Sequence, residues 1–230
     1  MIGTIVNASA IVLGSLTGLL FRKQIPERVS NTITQGLGLA VLLIGLQMSL
    51  LSQEIMVVVV SLVLGGLTGE LLNIEGWLAR LGRWADIKAG LATGGAGKAF
   101  VTASLIYCVG AMAIMGSLED GLNNNPQILF TKAALDGVSA ALFTSTMGLG
   151  VAFSALPVFV YQGAITLLAA SLKNFLSPSV VMEMSATGGL LIVGIGINIL
   201  GIKEIKVGNL LPAIFYAAPL AYWLPAIIPK

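Results

Sequence analysis

The chain has 230 residues, 57% of them hydrophobic and only 10% charged, with a formal net charge of +2 and no histidine. Its mean hydropathy of +0.97 is far from that of a soluble domain, in which about a quarter of residues are charged, so most of the chain is expected to be bilayer-spanning helix. The single cysteine, Cys108, excludes an intramolecular disulfide, the absence of histidine excludes the usual zinc and iron sites, and so small a net charge gives no reason to expect nucleic acid.

The segment from Met1 to Leu20 has no positive n-region and continues as a full-length apolar helix to Arg22, so it reads as a first span and not a cleavable signal. Apolar runs of spanning length follow, giving eight expected spans at 3–21, 33–51, 55–73, 99–118, 128–152, 156–172, 184–202 and 207–227. The fold class is therefore all-α and polytopic. Between the third and fourth spans, Glu75 to Lys88 is too charged to cross. Trp77, Leu78, Leu81, Trp84 and Ala85 fall on one helical face there and Arg80, Arg83 and Asp86 on the other, as in a helix lying in the interface.

Nine of the twelve basic residues then lie on one side of the membrane: Arg22, Lys23, Arg28, Arg80, Arg83, Lys88, Lys98, Lys203 and Lys206. Lys173 and Lys230 lie on the other side. The positive-inside rule makes the first side cytoplasmic and puts both termini outside. Trp77 and Trp84 mark the inner interface and Trp223 the outer.

Displacing the chain by 151 residues lays Gly38–Gln47 on Gly189–Asn198 with both glycines and the terminal amide matched, and Ile11–Leu20 on Gln162–Ser171. Spans one to three resemble spans six to eight. An offset of five helices would invert one triplet relative to the other. The expected organisation is 1–73 as a first three-helix repeat, 74–98 as interfacial helix and loop, 99–155 as a central helix pair, and 156–230 as the second repeat. Chance alignment of Gly-rich apolar helices is the alternative.

Lys132 and Asp136 are one turn apart in the fifth span and share a helix face. Each left unpaired at the centre of a span would cost about 2.5–3.5 kcal/mol, so the two are expected to pair and to mark either a cation or proton site or a packing device. Thr144 and Ser145 lie further along the same helix, Glu119 and Asp120 close the fourth span at an outer mouth, and Gln162 and Asn7 carry single amides in other spans. Gln47 and Asn198 occupy equivalent places in the repeat and would wall a midplane site. Gly14–Gly18 and Gly65–Gly69 are G-x-x-x-G pairs suited to helix contacts within or between subunits. No P-loop, G-x-S-x-G or histidine base is present, so no enzyme and no cofactor is expected.

The stretches Cys108 to Leu122, Lys132 to Gly137, Phe143 to Gly148 and Tyr161 to Gly163, with the opening Gly3 to Asn7, are similar to those of the YqgA/YdfK family of bacterial inner-membrane proteins of unknown function. The resemblance runs over nearly the whole chain and implies a multi-span membrane protein of transporter type without naming a solute. The expected function is a secondary transporter or channel-like carrier of a small solute or cation, with proton or sodium as the driving ion. A homo-oligomer in the lipid bilayer is expected to shield its polar path. The alternative is a non-transporting assembly or sensory partner whose buried charges only specify packing.

Overall fold

The computed structural model describes residues 1–22, 26–80 and 96–227, and their regular structure is helix, with no strand among them. The helices are α1 (Ile2–Arg22), α2 (Glu27–Ser49), α3 (Ile55–Leu72), α4 (Ala96–Cys108), α5 (Ala111–Asn123), α6 (Gln127–Met147), α7 (Gly150–Phe153), α8 (Ala155–Leu167), α9 (Ala169–Leu172), α10 (Pro178–Ile199), α11 (Val207–Leu210) and α12 (Pro212–Ile227). Residues 74–80 are also helical. The remainder of the expected interfacial helix, with Leu81, Arg83, Trp84, Ala85, Asp86 and Lys88, lies outside the described residues, as do Lys23 and Lys230.

Among the described residues six helices are long and apolar enough to cross a membrane, or seven if the pair α4 and α5, bent by 59°, forms one span. The expected fourth span is thus a broken one. Its break falls at Gly110, whose φ of +138° only glycine adopts without strain. The fifth span, by contrast, is one continuous helix, α6. The expected sixth begins earlier than its apolar run, at Gly150. The expected eighth divides into the short α11 and the 16-residue α12, which Pro212 opens.

Contacts group the chain into two compact units that interleave along the sequence. The first holds α1, the start of α2, the helix after Gly76, α4, most of α5, α6 to α8 and the start of α9. Its tightest seam joins α1 to α6. Gly3 lies on Leu129, Gly14 on the Gly137 carbonyl and Gly18 on the Ala141 carbonyl, so the two helices run parallel with their backbones in contact. The buried face of α1 is Thr4, Asn7, Ile11, Ser15 and Gly18, spaced by three and four. The pair Gly14–Gly18 therefore serves packing within the chain. α8 lies antiparallel to α1, Thr4 meeting Thr166 and Asn7 meeting Gln162.

The second unit holds the rest of α2, α3 and α10 to α12. Its centre is α10, 78% of whose spanning window is buried against 17% for α2. Ser177 caps α10 through the Val180 N–H, and Pro178 occupies its first position. α2 and α10 are antiparallel, with Gly38 against Leu200, Leu42 against Gly196, Gly45 against Val193 and Ser49 against Gly189. α3 packs on α11 and α12 through Gly65 on Ala213 and Gly69 on the Asn209 carbonyl. Both ends of α3 are tied by carboxylates. Glu183, buried on α10, accepts from the Ser52 hydroxyl and the Gln53 and Glu54 N–H groups at 2.7, 2.7 and 3.1 Å. Glu75 accepts from the Gly208 N–H at 2.6 Å, while Asn209 joins the Glu75 N–H to the Glu70 carboxylate. The hydrogen bond to Glu70 holds the exposed Lys206 ammonium above its usual range.

Gly14 and Gly36 test the seam with one chemistry. A Cβ at Gly14 collides with backbone, whereas one at Gly36 meets nothing within 4 Å. Gly14→Ala is expected to lower Tm in detergent by several degrees, overpacking costing about 1–3 kcal/mol, and Gly36→Ala to leave it unchanged or slightly raised. Equal melting of the two variants would refute the seam.

Candidate functional site

α6 carries the charged centre of the first unit because its helical period brings Lys132 and Asp136 onto the face that α1 covers. Lys132 Nζ donates to Asp136 Oδ2 at 2.6 Å, and each residue is 6% exposed. Both groups are withdrawn from solvent and satisfy each other, the arrangement expected of intramembrane charges.

Three other helices of the unit surround this pair. From α1, the Asn7 amide neighbours the Asp136 carboxylate and donates through Nδ2 to Gln162 Oε1 of α8 at 3.2 Å. One turn away, the Thr4 and Thr166 hydroxyls approach to 3.5 Å. From the end of α4, Tyr107 places its ring centroid 6.0 Å from the Lys132 ammonium, near the outer limit of a cation–π contact, and its hydroxyl accepts from Ser139 at 3.4 Å. Tyr107 is 1% exposed, Asn7 and Gln162 wholly buried.

Among the described residues, Asn7 Oδ1, Gln162 Nε2, Ser15 Oγ, Thr144 Oγ1 and Ser104 Oγ of the first unit are buried without a hydrogen-bond partner, as are Ser61 Oγ and Thr187 Oγ1 of the second. Buried polar atoms are rarely left this way. The first four line the α1–α6 seam and its α8 flank, so this seam holds hydrogen-bonding capacity that its own chain does not consume. Ser145 does not add to it, since its hydroxyl donates back to the Leu142 carbonyl at 2.8 Å.

The remaining expected site residues are distributed differently. Asp120 is 3% exposed and turned toward the start of α1, accepting from the Gly3 N–H at 3.2 Å and pairing with the Met1 ammonium at 2.8 Å. Its neighbour Glu119 faces the loop and accepts from Asn123 and Asn125. The two acidic residues point apart because adjacent helix positions face different directions. Gln47 and Asn198 belong to the second unit. Gln47 is exposed, whereas Asn198 closes a local turn, exchanging two hydrogen bonds of 2.8 Å with the Ile205 backbone.

Sequence reasoning missed Tyr107, Thr4 and Thr166 at the centre, and Glu183 in the second unit. Tyr107 had a signal: it is the aromatic hydroxyl immediately before Cys108 and the Val109–Gly110 break. Glu183 stands one residue outside the expected span at 184–202.

The family model described as "Protein of unknown function (DUF554)" matches residues 2–222. The chain is 34% identical over 220 residues to "Uncharacterized membrane protein YdfK" of Bacillus subtilis (strain 168), covering 93% of each chain. It is 31% identical over 226 residues to "Uncharacterized protein YqgA" of Escherichia coli (strain K12), covering 96% of each. No solved structure matches. With the match extending over nearly its full length, the chain belongs to the DUF554 family of proteins of unknown function.

Proposed function

We propose that this membrane protein is a secondary carrier of a small solute or cation in the bacterial inner membrane, with Asp136 in the path and Lys132 balancing its charge. The observation that carries this reading is the buried Lys132–Asp136 pair set among partnerless amide and hydroxyl atoms on neighbouring helices. The broken span at Gly110 adds support, since discontinuous helices recur at transporter binding sites. The reading needs neither enzymatic chemistry nor a cofactor. Proton or sodium gradients would drive it.

Two features support an inverted repeat beneath this function. A displacement of 151 residues exchanges the contact of Gly38 and Leu200 with that of Ser49 and Gly189. It likewise exchanges Leu42 and Gly196 with Gly45 and Val193. Such reciprocity is what a pseudo-two-fold axis produces. The antiparallel packing of α8 on α1 agrees with it.

Parallel packing of α1 and α6 favours counting the bent pair as a full crossing, because parallel spans need an odd number of crossings between them. With α12 as an eighth crossing, both termini lie outside under the positive-inside rule. In a cysteine-free Cys108→Ser background, Asn125→Cys is expected to react with a membrane-impermeant thiol reagent on intact cells and Lys203→Cys only after lysis. The opposite pattern would overturn this orientation. The low burial of α2 and the exposed Gln47 favour a homo-oligomer that covers them.

Uptake into sealed proteoliposomes under imposed proton and sodium gradients tests the carrier. Wild type is expected to move at least one of the pools tested (small organic anions, amino acids, metal ions), and Asp136→Asn to lose at least tenfold in rate. Unchanged flux in Asp136→Asn would sink the reading. The 2.6 Å geometry of the pair also suits the second reading, a non-transporting assembly or sensory protein. The exchange Lys132→Asp with Asp136→Lys separates them: it restores a packing pair and its Tm, but not transport.

A further inference from the structure

The Lys132 ammonium stands where a bound cation would stand: on the one carboxylate of a buried centre, tethered to α6 by four flexible methylenes. We propose that Lys132 is a built-in competitor for a monovalent cation site on Asp136, and that its ammonium moves onto the Tyr107 ring when the cation binds. This rests on the carrier reading and names its ligand class.

Charge count selects a monovalent ion. With the ammonium on the Tyr107 ring and an ion on Asp136, the buried centre gains one positive charge for a monovalent ion and two for a divalent one, and only the smaller excess is left for the ring face to offset. Among the described residues no group of three acidic, histidine or cysteine side chains gathers to hold a divalent ion. The receiving place for the ammonium is already built, because the ring is buried and its centroid 6.0 Å from Nζ, close to where cation–π attraction begins.

The amides supply the complementary change. Asn7 now offers its NH₂ to Gln162 Oε1, leaving Asn7 Oδ1 and Gln162 Nε2 partnerless. Those two atoms are an acceptor and a donor, so turning both amides over makes the alternative bond from Gln162 Nε2 to Asn7 Oδ1. The present orientation gives Asp136 a donor. The inverted one turns the Asn7 oxygen toward Asp136, as a metal cation requires. The hydrogen bond between the helices survives in either state.

The test is sodium binding to the purified full-length protein, by calorimetry and by sodium-dependent Tm, with choline as the replacement ion. Lys132→Met removes the competitor and is expected to raise sodium affinity at least tenfold. Tyr107→Leu removes the receiving ring and is expected to weaken it several-fold, with Tyr107→Phe close to wild type. A folded Lys132→Met protein with unchanged or weaker sodium affinity overturns the proposal, as does sodium binding to neither wild type nor this variant. Should Lys132→Met not fold, the Tyr107 pair decides, and equal sodium affinity of Leu and Phe variants overturns it. Solute flux that is sodium-independent yet lost in Asp136→Asn would keep the carrier and remove only this inference.

Discussion

Charge cannot be left unpaired in hydrocarbon, and the Lys132–Asp136 pair is where this chain meets that constraint. Much of the first unit follows from it. The pair must be covered, so α1 approaches α6 until backbones touch. That approach is available only because Gly14 and Gly18 present no side chain to the Gly137 and Ala141 carbonyls. The same face of α1 then carries Asn7, Ser15 and Thr4 into the seam, where residues of any greater polarity would need partners of their own. Tyr107 and Gln162 close the remaining sides from α4 and α8.

The two units use their polar groups in different ways. In the first, the side chains of Asn7 and Gln162 and of Thr4 and Thr166 meet one another across helices, and the two amides are each only half satisfied. In the second, the strongest hydrogen bonds gather at helix ends. Glu183 anchors the N-terminus of α3, where a carboxylate meets free N–H groups and the positive end of the helix dipole. Glu75 and Asn209 tie down the other end of the same helix. A carboxylate accepting two backbone N–H groups and a hydroxyl has little capacity left for a ligand, so Glu183 reads as a fastening. Asp136, with one ammonium and a neighbouring amide, retains capacity.

Helix interruptions also divide by cause. Asn73 and Gly148 end helices with positive φ, the ordinary way of stopping a helix at a loop. Gly110 interrupts a span of apolar composition, three residues after the Tyr107 that faces Lys132. Proline does not account for the break: Pro219 lies inside α12 and Pro157 in the first turn of α8, both within helix.

Hydropathy alone determined the class of this protein, its continuous spans and the significance of Lys132 and Asp136, because long apolar runs have one stable fate in lipid and two charges four residues apart must share a helix face. The G-x-x-x-G pairs were legible as contacts. What they touch was not, since a small residue specifies closeness and not a partner. Composition likewise could not locate the broken span: Val109–Gly110 reads as apolar, and the sharp turn depends on a backbone angle that glycine permits but does not announce. Tyr107, Thr4, Thr166 and the pairing of Asn7 with Gln162 depended on tertiary structure, since only the crossing of α1, α4, α6 and α8 brings together residues separated by as many as 162 positions. That crossing also parted Asp120 from Glu119, because neighbours in sequence face different sides of one helix.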